Sequence, residues 1–133
     1  MKKNIKMVAF DLDGTLLTTK KVFTERAKDA ITKAAARGIV MLPATGRPLT
    51  AIPEEILYFP GIRYAVTANG GRVMDTARNK AIFEELVPPE IARKVLDIYE
   101  HYDTLREVYY DGAGFAEEKM LVRIKDFFGI SAM

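Results

Sequence analysis

The sequence predicts an α/β fold: part of a parallel, Rossmann-type sheet with helices, followed by the start of an α+β module. Three observations carry this. Short apolar runs at 5–10, 39–42 and 63–67 alternate with helical stretches. Each run ends in a polar or glycine-rich loop. Beyond residue 71 the alternation gives way to hairpin patterns. Strand–helix–strand–helix–strand order implies parallel pairing with right-handed crossovers. In such a sheet the loops at the carboxyl ends of the strands lie on one edge.

The elements follow in order. Residues 5–10 form the first strand, and Asp11-Leu12-Asp13-Gly14-Thr15 ends it. Residues 24–37 form a helix, with Thr24 as N-cap, Ala27, Ile31, Ala34 and Ala35 along one face, and Gly38 as the stop. Residues 39–42 form a second buried strand that breaks at Pro43 and enters Thr45-Gly46-Arg47. A second helix is expected over 48–58, with Pro53 near its middle or marking its true start. The strand at 63–67 ends in Ala68-Asn69-Gly70-Gly71. A hairpin pairs 72–75 with 81–86. Pro88-Pro89-Glu90 opens a helix to about Tyr102 whose buried face is expected to be Ile91, Val95, Ile98 and Tyr102. Strands at 105–110 and 114–117 flank the turn signal Asp111-Gly112-Ala113. A last helix covers 119–128. The four tyrosines between 99 and 110 read as packing residues of this second module.

Two carboxylates one residue apart, at the end of a buried strand, repel each other unless a positive group lies between them. A hard cation such as Mg²⁺ suits oxygen ligands and commonly shares its shell with a substrate phosphate. Asp11 and Asp13 therefore point to metal-assisted phosphoryl chemistry. The same residues also fit an ordinary strand-to-turn junction, where Asp and Gly are common. Thr15 and Leu17 do not continue the acid spacing of an EF-hand. Thr45-Gly46 reads equally as a turn, Arg47 as a helix-start surface charge, and Asn69-Gly70-Gly71 as the tight turn into a hairpin. His101 reads as a surface residue.

Bulk properties narrow the classes. The 133 residues are 49% apolar and 29% charged, as in a globular protein with a core of its own. A net charge of +2 with scattered basic residues argues against a nucleic-acid partner. The chain has no cysteine, which excludes disulfides and thiolate metal sites. Met1-Lys2-Lys3 is followed by an apolar run far too short for a signal peptide, and no stretch is long enough to span a membrane. A cytoplasmic setting is expected.

Three loops together carry a resemblance. Asp11-Leu12-Asp13-Gly14-Thr15-Leu16, Ala44-Thr45-Gly46-Arg47-Pro48 and Thr67-Ala68-Asn69-Gly70-Gly71 are similar to motifs of the haloacid dehalogenase (HAD) superfamily, in the Cof-like sugar-phosphatase branch. The resemblance implies a partial HAD-like core over 1–84 and a partial cap module over 85–133. It implies a Mg²⁺-dependent phosphatase of small phosphorylated metabolites of the sugar-phosphate class. Asp11 is then the nucleophile that forms an aspartyl-phosphate, and Asp13 the acid/base. Leu12, Thr45, Gly46, Arg47, Asn69 and Gly70 contact phosphate or substrate, and Asp11 and Asp13 hold the metal. A carboxylate nucleophile splits one difficult displacement into two, and phosphoryl transfer depends on positioning and charge neutralisation.

The family also uses a later lysine and a pair of acids from strands after the cap. This chain stops within the cap. Lys119, Lys125, Asp111 and Asp126 lie in cap sequence and do not take those roles. The expectation is a truncated phosphatase, weak or inactive alone. The first strand is expected to leave an exposed apolar edge, covered by self-association, strand exchange or an altered C-terminal path. The alternatives are a non-catalytic phosphate- or metal-binding or interaction domain, or one half of a split phosphatase completed by another chain.

Overall fold

A computed structural model describes residues 4–120 and Arg123. Contacts divide the chain between Leu86 and Val87 into two compact units.

The first unit holds the core. Strand β1 (Met7–Phe10) pairs in parallel with β2 (Val40–Pro43), Met7 opposite Val40 and Phe10 opposite Pro43. Pro43 closes β2 rather than breaking it, because the next amide, Ala44 N–H, donates to Phe10 O at 2.9 Å. The parallel run continues into β3 (Tyr64–Thr67) through two isolated bridges, Met41–Ile62 and Ala44–Val66. Strands β4 (Arg72–Asp75) and β5 (Lys80–Glu84) then add an antiparallel hairpin onto β3. Asp75, buried beneath this hairpin, accepts from Arg63 at 3.0 Å and from the Arg78 amide at 3.3 Å, so its charge is not left unpaired.

Helix α1 (Glu25–Ala35) crosses between β1 and β2. Thr24 caps it, accepting the Ala27 N–H at 3.3 Å, and Glu25 and Lys33 complement the dipole at its two ends. Ile31 is buried, with Ala27, Ala34 and Ala35 packed beside it. The single helix expected over 48–58 is two short pieces, a 3₁₀ turn at Leu49–Ala51 and α2 (Glu54–Leu57). Pro53 divides them: it has no N–H to continue a helix, and it forces Ile52 into an extended conformation (φ −82°, ψ 128°). Ile52, Ile56 and Leu57 still reach the core, joined there by Leu12, Leu17, Phe23, Met41 and Ile62.

The second unit contains α3 (Pro89–Tyr99) and the hairpin of β6 (Glu107–Tyr110) and β7 (Ala113–Ala116). Asp111 (φ 48°) and Gly112 (φ 82°) make the two-residue turn, both left-handed as a type I′ turn demands. Here the burial expectation fails. Ile91, Val95, Ile98 and Tyr102 are 42–63% exposed, and no residue of α3 is buried. Tyr99, Tyr102, Tyr109 and Tyr110 are likewise exposed rather than packed. The helical period identifies which face is apolar; burial also needs a covering element, and the described residues supply none. The helix expected over 119–128 lies almost wholly outside the described residues.

Candidate active site

The first loop is built by alternation. Extended backbone at the end of β1 turns successive side chains to opposite sides. Leu12 therefore enters the core, fully buried, while Asp11 and Asp13 both emerge from it. The loop then winds back. Leu12 O accepts from Leu17 N–H at 2.8 Å, Asp11 O accepts from Leu16 N–H at 3.1 Å, and Leu17 returns to the core at 2% exposure. A bridge from Leu17 to Phe23 closes a small flap whose tip is Thr18–Lys21.

The second loop is tied to the third by main-chain bonds. Thr45 N–H donates to Val66 O at 3.0 Å, Asn69 N–H donates to Thr45 O at 3.3 Å, and Ala68 N–H donates to Arg47 O at 3.0 Å. Thr45 is buried, and its hydroxyl oxygen accepts the Arg47 N–H at 3.2 Å, which leaves its proton free to donate. Ala68 (φ 50°) and Asn69 (φ 54°) are consecutive left-handed residues, a costly backbone held by the bonds to the second loop. They bring the Asn69 carboxamide against Gly46. A Cβ at Gly46 would sit 2.8 Å from Asn69 Oδ1 and push the carboxamide aside, so glycine keeps this close approach.

The three strand ends thus meet around one open cavity of about 380 Å³, lined by Asp11, Ala44, Thr45, Gly46, Val66, Asn69 and Gly70. Five of the sequence-selected residues line it: Asp11, Thr45, Gly46, Asn69 and Gly70. Leu12 does not offer its side chain, which belongs to the core. Asp13 and Arg47 stand outside the lining and are bound to each other.

That pairing is the site's main electrostatic feature. Arg47 grips the Asp13 carboxylate with two bonds, Nε to Oδ2 at 2.9 Å and Nη2 to Oδ1 at 2.8 Å, and anchors Nη1 on Ala51 O at 2.8 Å. Lys21 Nζ also donates to Asp13 Oδ1 at 2.5 Å. Arg47 first, and Lys21 second, hold the Asp13 carboxyl down at about 2. The charge of Asp13 is therefore balanced by the protein itself. Asp11 differs: it lines the cavity, no described residue forms a hydrogen bond or ion pair with its carboxylate, and Arg47 feels its charge only at longer range.

Sequence reasoning missed Lys21. A turn at Thr18-Thr19-Lys20-Lys21 is legible, but its fold back onto Asp13 depends on the core anchors Leu17 and Phe23.

Metal fit follows from these donors. Among the described residues no three acidic, histidine or cysteine side chains cluster around one point. The Asp11 carboxylate, which has no described hydrogen-bond or ion-pair partner, suits a hard cation that fills its shell with phosphate and water rather than an all-protein cage.

The sequence profile of the haloacid dehalogenase-like hydrolases matches residues 8–127. The chain belongs to this family. It is 31% identical over 115 residues to a Streptococcus pyogenes protein whose name calls it a phosphatase, covering 80% of this chain and 43% of the relative. It is 32% identical over 76 residues to the Bacillus subtilis 5-amino-6-(5-phospho-D-ribitylamino)uracil phosphatase, covering 57% of this chain and 30% of that one. Its fold matches a solved HAD subclass IIB sugar phosphatase with a TM-score of 0.78 at 22% identity, over 96% of this chain and 51% of that one. The chain spans 30–43% of the length of these curated relatives. No described helix is long and apolar enough to cross a membrane.

Proposed function

We propose that residues 1–84 carry the nucleophile side of a phosphatase that acts on small phosphorylated metabolites, and that residues 85–133 are part of its cap. The observation that carries this reading is the convergence of three strand ends on one cavity lined by Asp11, whose carboxylate has no hydrogen-bond or ion-pair partner among the described residues, together with Thr45, Gly46 and Asn69. Asp11 attacks phosphorus, the ester P–O bond breaks, and the leaving oxygen takes a proton from Asp13. Water then attacks the aspartyl-phosphate, giving a proton to Asp13, and releases phosphate and Asp11. Thr45 and the backbone around Gly46 and Gly70 position the phosphate oxygens. Asp11 and the Asp13 carbonyl would hold Mg²⁺, which would supply charge neutralisation on the phosphate.

The Arg47 and Lys21 contacts keep Asp13 ionised, the form that accepts a proton from water. Its acid role requires a substrate to loosen them. Among the described residues Lys21 and Arg47 are the cations at the site, and both are engaged on Asp13 rather than on Asp11. The 133-residue chain assayed alone is therefore proposed to turn over slowly or not at all. Among the described residues β1 pairs with β2 alone, which leaves its other edge unpaired, and Ile5 and Met7 are 55% and 57% exposed. A second copy covering this edge is part of the proposal; light scattering showing a clean monomer contradicts that part.

The test uses p-nitrophenyl phosphate and beryllofluoride, a phosphoryl mimic. With Mg²⁺ the wild-type chain is expected to give a bound beryllofluoride signal by ¹⁹F NMR and at most slow turnover. Asp11→Asn and chelation of Mg²⁺ each abolish both. A bound signal that survives Asp11→Asn refutes Asp11 as nucleophile. Fast turnover at rates ordinary for enzymes, about 10 s⁻¹, refutes the expectation of a weak chain.

A further inference from the structure

Asp13 is held by two cations of unequal grip. Arg47 uses three fixed bonds, two to the separate oxygens of Asp13 and one to Ala51 O, and its side chain is 28% exposed. Lys21 makes one bond, to the Oδ1 that Arg47 Nη2 already occupies, and its side chain is 62% exposed. A bidentate guanidinium–carboxylate pair is strong and fixed in direction, whereas a single exposed ammonium pair is among the weakest contacts a carboxylate makes. Lys21 is the cation that yields when Asp13 turns to a substrate.

The base of the flap is firm while its tip cation is loose. Leu17 and Phe23 are buried at 2% and 4% exposure on either side of the turn. Lys21 N–H donates to Thr18 O at 2.8 Å, and Val22 N–H donates to Thr18 Oγ1 at 3.1 Å. Lys21 itself is held left-handed, at φ 59°. This conformation is uncommon outside glycine, and here it aims the ammonium at the acid. When Lys21 lets go of Asp13, its charge stays within reach of whatever Asp13 is serving.

We infer that Lys21 determines specificity: on substrate binding it transfers from Asp13 to a second anionic group on the leaving-group side. This rests on the proposed reading of Asp13 as the residue that serves the leaving oxygen. A cation next to that oxygen, released from its own carboxylate, selects phosphate esters whose leaving group carries another negative charge close to the scissile bond. A carboxylate and a second phosphate share that chemistry.

The test is equilibrium binding to the full chain by calorimetry with Mg²⁺ present, using matched probes. 2-Phosphoglycerate and glycerol 2-phosphate differ by a carboxylate in place of a hydroxymethyl group. Ethylene glycol bisphosphate and ethylene glycol monophosphate differ by the second phosphate. The wild-type chain is expected to prefer at least one probe with two anionic groups by about tenfold, the size of one charge-assisted hydrogen bond. The pair that shows the preference identifies which anion is read. Lys21→Gln abolishes that preference and changes affinity for the probes with one anionic group less than about twofold; Lys21→Arg restores most of it. A preference that survives Lys21→Gln, no preference in wild type, or an equal loss on all probes overturns the inference while leaving the phosphatase reading intact. Failure of the wild-type chain to bind any of the four probes refutes both.

Discussion

Arg47→Ala removes both hydrogen bonds that Arg47 gives the Asp13 carboxylate and leaves Lys21 as its remaining cation. In the wild-type chain Asp13 titrates at about 2 against an ordinary 3.8. Taken at full weight, that drop is about 2.4 kcal/mol of preference for the ionised form. The Asp13 side chain is 39% exposed, and solvent screening reduces the net stabilisation to about 1 kcal/mol or less. Linkage sets the sign. A carboxylate whose folded pKa lies below its unfolded value stabilises the fold above the unfolded value, and that contribution fades as pH falls through the folded one. The pair therefore acts fully above about pH 4 and is gone below about pH 2. The assay is an NMR titration of the Asp13 carboxyl in chelator, with urea denaturation across the same pH range. In the variant the Asp13 pKa is expected to move up toward 3.8 without reaching it, because Lys21 still donates. The stability gap between wild type and variant is about 1 kcal/mol near neutrality and shrinks on acidification. Asp13 still titrating at about 2 in the variant, or a gap that does not shrink, refutes the pairing as the cause.

Leu12→Ala is expected to cost about 2–5 kcal/mol in urea denaturation, because Leu12 is fully buried within the core cluster; a loss below about 1 kcal/mol means Leu12 does not anchor the first loop. Gly46→Ala sets a methyl 2.8 Å from Asn69 Oδ1 and displaces the carboxamide. Because that oxygen ends a flexible side chain, the stability loss is about 1 kcal/mol, while inorganic phosphate binding falls at least about tenfold. Unchanged phosphate affinity in this variant removes the Gly46–Asn69 contact from the binding site.

The sequence by itself determined the first loop's design. A spacing of two around Leu12 puts both aspartates on one side of extended chain and their apolar partner on the other, whatever surrounds them. It also determined that the loops after 10, 43 and 67 share an edge, since parallel strands joined by crossovers leave no other arrangement. Thr24 capping α1 and Asp111-Gly112 turning the last hairpin are local chemistry, legible for the same reason. Tertiary structure decided what those groups meet. Asp13 finds Arg47 34 residues away and Lys21 8 residues away, and no local pattern encodes either distance. Pro53 marks the true start of α2, one of the two places the sequence allowed for it, because it lacks an N–H and forces Ile52 to be extended. On α3 the period is sound, yet Ile91, Val95 and Ile98 stay exposed. An amphipathic pattern identifies an apolar face; whether that face is buried depends on another element packing against it.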